Sequence, residues 1–263
     1  MNNTDITLER INQITPQLSI KMIKVEGGRF MMGSNELDRE QPIHEVSVPD
    51  FYLGKYPITN EQFLPFLNAI GNQEEGGRKW VNIEGVRCGI FQNFDSYECK
   101  IGKEKHPMIY VSWYGARAYC KWLSKENGKD YRLPTESEWE YAARGGKLSK
   151  SYPFSGGHKL KEVGWYDLNS HGELKTIGQK KPNELGLYDM SGDAWEWCVD
   201  YWHESYKGAP QDGSAWVKGG SKTHRVVRGG AWDFSDYHCR VSNRSRFVAY
   251  DRDDLIGFRI TRY

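Results

Sequence analysis

Apolar residues alternate with polar residues or glycine in two runs near the start of the chain, at 22–33 and 45–48. Alternation with a period of two places successive side chains on opposite faces of a half-buried strand. The pattern therefore predicts short strands that begin a sheet within residues 22–52.

Two helices are predicted further along, each from a polar cap followed by an apolar stripe. The hydroxyl of Thr59 stands three residues before Gln62, which is the spacing of a capping box, and we expect this helix to end at position 71 or 72. The second helix is capped by Ser112 and stopped by Gly128, a residue that readily adopts a left-handed conformation. Both helices should bury one face.

The segment 134–138 repeats the capping-box pattern and predicts a third, short helix that closes at Gly145 and Gly146. Past Gly146 the helical period disappears, and brief strand-like runs remain at 225–228 and 257–260. Helices followed by irregular, strand-containing chain indicate an α+β fold. We expect one domain over residues 22–263, preceded by an N-terminal arm or helix at 1–21.

The charge is balanced, with 36 Lys+Arg against 35 Asp+Glu. No global field therefore attracts nucleic acid or an anionic membrane, so we expect no nucleic-acid partner. Residues 1–21 lack the apolar core of a signal peptide, but a lipoprotein whose signal has been removed would look the same. The five cysteines show neither a C-x-x-C pair nor an even count, so neither a disulfide framework nor a zinc site is indicated.

Five stretches, in order, resemble the formylglycine-generating-enzyme (sulfatase-modifying-factor) family. They are GGRFMMG at 27–33, FYLGKYPITN at 51–60, RLPTESEWEYAAR at 132–144, GLYDMSGDAWEW at 186–197 and VRGGAW at 227–232. The resemblance implies an elaborated C-type lectin fold, with a small twisted antiparallel sheet, flanking helices and long loops. A fold does not by itself establish a reaction.

In the oxidase members of this family, two cysteines bind copper and activate oxygen. Aligned from the Gly229-Gly230 pair, those positions are Phe234 and Cys239 here. Phenylalanine cannot ligate copper, so we expect no copper and no oxidase activity. The related sulfoxide synthases need an added helical domain with spaced histidines, which this chain of seven histidines lacks.

A narrower resemblance links 225–259 to the variable region of diversity-generating-retroelement proteins. It rests on 225–232, Cys239-Arg240, Asn243-Arg244, Arg252 and 256–259. Retroelement mutagenesis of adenines converts asparagine codons into codons that still end in a pyrimidine, and these never encode Lys, Glu, Gln, Met or Trp. Those five types make up 64 of 263 residues but none of 233–255, where about five or six would be expected at average usage.

The candidate ligand-binding residues lie between these framework positions and combine aromatic rings with Ser, Asp and Arg. They are Phe234, Ser235, Asp236, Tyr237, His238, Ser245, Arg246, Phe247, Val248, Tyr250, Asp251, Asp253, Asp254 and Leu255. Rigid rings and adaptable polar groups together are typical of antibody paratopes. The alternative is that the rings pack into the core, but 233–255 shows neither strand alternation nor a helical stripe. Val241 and Val248 are the best candidates to face inward.

The family resemblance also implies a structural calcium ion. Its ligands would be the side chains of Asp189 and Glu196 and the carbonyls of Gly192 and Ala194. Carboxylates flanking a bent, glycine-containing backbone can supply the oxygen ligands that calcium prefers. In the alternative, equally open, Asp189 caps a turn and Glu196 pairs with an arginine.

The sequence thus favours a non-catalytic, hypervariable, receptor- or adhesin-like binding protein. The expected ligand is a protein or glycan on another cell or a phage, and the expected state is a monomer. Localisation stays open, and the family resemblance favours the bacterial surface. One alternative is a formylglycine-generating or related oxidase with an altered copper site. Another is an interaction module that is not diversified.

Overall fold

The computed structural model describes residues 20–263, so almost all of the predicted arm at 1–21 lies outside the described residues. The helices are α1 (Asn60–Ile70), α2 (Trp113–Asn127), α3 (Glu136–Ala143) and the single turns α4 (Leu160–Val163) and α5 (Asp167–Ser170). Short 3-10 turns occur at Asp38–Glu40, Gly146–Leu148 and Asp236–Cys239. No helix among the described residues is both long and apolar enough to cross a membrane.

The strands are short and spread along the whole chain. They are β1 (Met22–Val25), β2 (Gly28–Met32), β3 (His44–Val48), β4 (Phe51–Gly54), β5 (Glu74–Glu75), β6 (Arg78–Lys79), β7 (Ile90–Asn93), β8 (Ser96–Cys99), β9 (Trp195–Tyr201), β10 (His224–Arg228), β11 (Arg244–Val248), β12 (Ile256–Gly257) and β13 (Thr261–Arg262). A four-stranded sheet has the order β11-β10-β9-β12, and a three-stranded sheet has the order β1-β4-β13. The resemblance implied an antiparallel sheet, but β12 runs parallel to β9.

The three helix starts predicted from capping residues are confirmed. Thr59 and Thr135 each form a complete capping box. Ser112 accepts a hydrogen bond from the backbone N–H of Gly115. The left-handed stop at Gly128 has φ 64°. These local signals held because capping depends on residues within one turn of the helix.

The four-stranded sheet separates two hydrophobic clusters. Trp195 and Trp197 of β9 point into the cluster that also holds the buried faces of α1 and α2. Cys198 of the same strand and Val226 of β10 point into the other, which contains α3 and strands β1 to β4. The strand region after Gly146 is therefore the middle of the molecule, covered on both faces.

Two sequence interpretations of the C-terminal third are wrong. The segment 233–255 does contain a strand, because β11 pairs with β10 in antiparallel register from Arg244 to Val248. The run at 257–260 is largely outside strands, since only Ile256–Gly257 and Thr261–Arg262 are paired. The sequence pattern did not predict β11 because its inward side chain, Arg244, is charged. Hydrophobic periodicity counts an arginine as an exposed position even when it is buried.

Candidate functional site

The fourteen candidate residues form three groups: the turn 234–238, the strand positions 245–248 and the loop 250–255. Every one of them is exposed or half-buried. Between them, Trp232, Cys239, 241–244, Ala249 and Ile256 are buried. Of the two valines expected to face inward, Val241 is 2% exposed, whereas Val248 is half-buried. Exposure is what ligand contact requires, and the assignment itself stays a prediction.

Three apolar members of the set meet on one face of the four-stranded sheet, around the tryptophans of β9. The ring of Phe234 lies edge-on to Trp195, with ring centroids 5.6 Å apart. Phe247 lies edge-on to Trp197 at 6.3 Å. The carbonyl of Leu255 accepts a 2.7 Å hydrogen bond from the backbone N–H of Trp195. The three groups therefore share a common base, and these three side chains pack partly against the core.

Arg246 points the other way, because successive strand residues alternate between faces. Its guanidinium lies over Trp202, 5.2 Å from the ring, and pairs with Glu204. This ion pair stands between two clefts, of about 620 Å³ and about 400 Å³, and both are lined by Trp202, Glu204 and Arg246. In the larger cleft His203 stacks on Trp216 with ring centroids 3.4 Å apart.

The sequence analysis missed Trp202, Glu204 and Trp216 as neighbours of the candidate surface. They come from a segment far along the chain from Arg246, and no local spacing joins the two. Only the pairing of β11 with β10, and of β10 with β9, brings them together.

The acidic residues of the third group, the loop 250–255, already have hydrogen-bond or ion-pair partners in the folded chain. Asp251 accepts a hydrogen bond from the backbone N–H of Val248 at 3.0 Å, and Asp253 accepts one from Leu255 at 3.0 Å. Asp254 pairs with Arg87 at 2.7 Å. Such turn-forming bonds fix the backbone of the loop. Tyr250, by contrast, is 36% exposed, and the guanidinium of Arg78 lies 5.3 Å from the centre of its ring.

Buried ion pairs hold the frame under this surface. Glu136 and Glu140 of α3 are buried rather than exposed at the helix start. Arg244 donates to Glu136 through two nitrogens, at 2.7 and 2.6 Å. Arg228 pairs with Glu140 and stands 3.5 Å from Glu136. The strands β10 and β11 are thereby fixed against α3 by groups that cannot be left unpaired without a large penalty.

Cys239, which the family resemblance aligns with an oxidase copper ligand, is fully buried. Its neighbours Leu160 and Val163 form a small apolar cluster with it. Burial raises the pKa of the Cys239 thiol, and the negative charge of Asp236 raises it further. A thiol in this setting is protonated and a poor nucleophile or metal ligand.

In the implied calcium site Asp189 and Glu196 lie near enough for the charge of Glu196 to raise the pKa of Asp189, and the carbonyl of Gly192 accepts a 3.0 Å hydrogen bond from the backbone N–H of Ala194. Glu196 already has a partner. Arg259 donates to both of its carboxylate oxygens, at 2.5 and 2.7 Å, and the indole N–H of Trp139 donates at 2.7 Å. Asp189 has φ 58° and one carboxylate oxygen that lacks a partner within the described residues. Burial raises its pKa to about 6.

The acceptor best placed to join Asp189 is one that the sequence analysis did not name. Asp193 is 1% exposed and has an oxygen without a partner in the described part of the chain. Burial, then the charge of Asp189, raises its pKa well above the usual range. Across residues 20–263 no three His, Cys, Asp or Glu side chains are grouped to hold a metal. The calcium site stays a prediction. The unpartnered carboxylate oxygens of Asp189 and Asp193 fit a bound cation, whereas Glu196 is already paired with Arg259.

Comparison with known proteins shows which family this chain resembles in sequence and fold. The model of the sulfatase-modifying factor enzyme 1-like domain matches residues 10–263. The chain is 34% identical to the serine/threonine-protein kinase Pkn1 of Chlamydia trachomatis, covering 98% of this chain and 40% of the kinase. It is 29% identical to the formylglycine-generating enzyme of Streptomyces coelicolor, covering 93% of this chain and 90% of the enzyme. The chain thus spans about two fifths of the chlamydial kinase but nearly the whole enzyme.

Two solved structures are similar over almost their full length. PvdO from Pseudomonas aeruginosa is 28% identical with a TM-score of 0.76, covering 94% of this chain and 95% of that one. Treponema denticola variable protein 1 is 26% identical with a TM-score of 0.74, covering 92% and 95%. The predicted resemblance to both an enzyme family and a variable protein is confirmed, as is the α+β, C-type-lectin-like fold. Because the family model matches nearly the whole length of this chain, the chain belongs to the sulfatase-modifying factor enzyme 1-like domain family.

Proposed function

We propose that this chain is a non-catalytic ligand-binding domain whose C-terminal surface contacts a protein or glycan on another cell or a phage. The observation that carries the proposal is the burial pattern of 233–255. The residues resembling the framework of a variable region are buried except Arg240 and Arg252, which are half-buried, and all fourteen candidate residues keep solvent exposure. The similarity to Treponema denticola variable protein 1 supports the same function.

The chemistry of the exposed set suits recognition. Tyr237 is 39% exposed, and the Arg240 guanidinium lies 4.3 Å from the centre of its ring. This contact orients an amphipathic ring at the surface, where a ligand can reach it. Rings held in place lose little entropy on binding. The clefts beside Arg246 add concave, polar and aromatic surface on the neighbouring side.

The deciding experiment is to sequence the DNA encoding residues 225–260, with its flanks, in many sibling isolates. Substitutions confined to the exposed positions, beside a template copy and a reverse transcriptase gene, are the expected result. Buried Arg228, Asn243 and Arg244 should not vary. An invariant segment with no template nearby would overturn the diversified-binder proposal and favour an undiversified interaction module.

The second candidate function is an oxidase with an altered metal centre, favoured by the formylglycine-generating-enzyme relative. It is tested by titrating copper(I) into the protein and into Cys239→Ser, while measuring oxygen consumption on a cysteine-containing peptide. Stoichiometric copper binding that depends on Cys239 would favour the oxidase. A lack of such binding is the result expected for a buried, protonated thiol when the position aligned with the second copper ligand is Phe234.

A further inference from the structure

A groove of about 520 Å³ lies between the end of α1, the outer face of α2 and the hairpin of β5 and β6. None of the fourteen candidate residues lines it. Its volume lies within the roughly 300–1,000 Å³ typical of small-molecule sites. Its apolar walls include Ile70, which is 38% exposed, and the mostly buried rings of Trp80 and Trp122.

Three cations form a row along this groove. Arg117, Lys121 and Lys125 are each four residues apart on α2, so they stand one above another on the same stripe. None of them forms an ion pair with any residue in the range 20–263. Like charges in this arrangement repel one another, and a bound anion would relieve that repulsion.

The ring of Trp80 gives the groove a fixed apolar wall. Trp80 is 6% exposed, and its ring stacks on Phe66, with centroids 5.4 Å apart. Its indole N–H is itself buried, so the ring offers the groove apolar surface rather than a hydrogen-bond donor.

We propose that this groove binds a small amphipathic carboxylate. Its apolar part packs against Ile70, Trp80 and Trp122, and its carboxylate lies along the cation row. The apolar wall and the cation row complement the two halves of such a ligand. The two acidic side chains at the groove, Glu75 and Glu126, leave the lining with an excess of positive charge.

The test uses indole-3-acetate and its neutral isostere indole-3-acetamide, which differ only in the carboxylate. The protein labelled with nitrogen-15 is titrated with each compound, and the indole N–H resonance of Trp80, assigned by Trp80→Phe, is followed. We expect a saturable shift with indole-3-acetate and weaker binding of the amide. Lys121→Glu should weaken binding of the acid by about threefold to fivefold, the size of a surface charge interaction.

The matched control is Lys129→Glu, which reverses an exposed lysine beyond the end of α2 and outside the groove lining. It should leave affinity unchanged. The remaining backbone resonances report whether each variant stays folded. No saturable shift with the acid would overturn the proposal, as would equal affinity for acid and amide. Equal weakening by Lys121→Glu and Lys129→Glu would overturn it too, because long-range charge would then explain the binding.

Discussion

Two arginines on β11 provide a matched test of how the candidate surface is supported. Arg244 and Arg246 lie two residues apart and point to the same face of the sheet, but Arg244 is fully buried and the Arg246 side chain is 43% exposed. Arg244 donates twice to Glu136 and also to the carbonyls of Arg39 and His203, at 3.0 and 3.1 Å. Within residues 20–263 the ion pair of Arg246 is with the exposed Glu204, and its guanidinium lies over Trp202.

The expected costs of Arg244→Ala and Arg246→Ala differ severalfold. Removing one partner of a buried pair typically costs about 3–5 kcal/mol, because the other charge stays buried. Glu136 would retain the Tyr206 hydroxyl at 3.0 Å and Arg228 at 3.5 Å, so we expect about 3 kcal/mol, the lower end of that range. For Arg246→Ala, solvent screening limits the loss to about 0–1 kcal/mol.

Urea unfolding followed by tryptophan fluorescence measures both variants against the wild type, with the m-value as a check that the transition is comparable. A loss of about 3 kcal/mol corresponds to a drop in thermal midpoint of roughly 6–12 °C for a domain of this size. If Arg244→Ala cost under 1 kcal/mol, or if Arg246→Ala cost as much as Arg244→Ala, the division into buried frame and replaceable surface would be refuted.

Four further predictions concern buried groups. Because burial raises the pKa of Asp189 from 3.8 to about 6, the folded chain holds a proton that the unfolded chain has released. Stability in chelator should therefore fall, by up to about 3 kcal/mol, as pH rises from about 4 to about 6, and urea midpoints should show that Asp189→Asn removes this part of the slope. Calcium favours the ionised carboxylate, so it should raise the thermal midpoint at neutral pH, and an unchanged midpoint would count against the site. The Cys239 thiol should react with a disulfide reagent only after unfolding, and rapid labelling of this cysteine in the native protein would contradict its burial. Trp139→Phe should cost about 1–3 kcal/mol in urea unfolding through the lost bond to Glu196, and Trp139→Ala about 3–5 kcal/mol; similar costs for both would show that packing of the indole matters little.

Local signals in the sequence predicted the helices well. The caps at Thr59, Ser112 and Thr135 act within one turn, and all three helices begin where those residues indicate. The family motifs supplied the fold, which hydrophobic periodicity alone would not have given, because the strands are short and separated by long loops.

Long-range features could not be read in the same way. The strand β11 was missed because Arg244 takes an inward position that periodicity expects to be apolar. Its partner Glu136 is 108 residues away in the sequence, so only the folded chain shows that the charge is neutralised. The same reason explains why Asp193 and the Trp202 clefts were not found. Each depends on segments that the sheet brings together.

The residues that identify the family and the residues proposed to bind a ligand are different sets. The first set supports the fold, and the second is proposed to contact a ligand. The stretch 132–144 contributes Glu136 and Glu140, the stretch 186–197 contributes Glu196, and the stretch 227–232 contributes Arg228, and all four are fully or almost fully buried in ion pairs. Their shared role is to fix the central sheet against its surroundings, a role that places no demand on the chemistry of the surface. One fold can carry different functions, and this chain is similar to a formylglycine-generating enzyme, to part of the kinase Pkn1 and to a variable protein. Function in this chain must therefore be sought in the exposed positions between the buried ones.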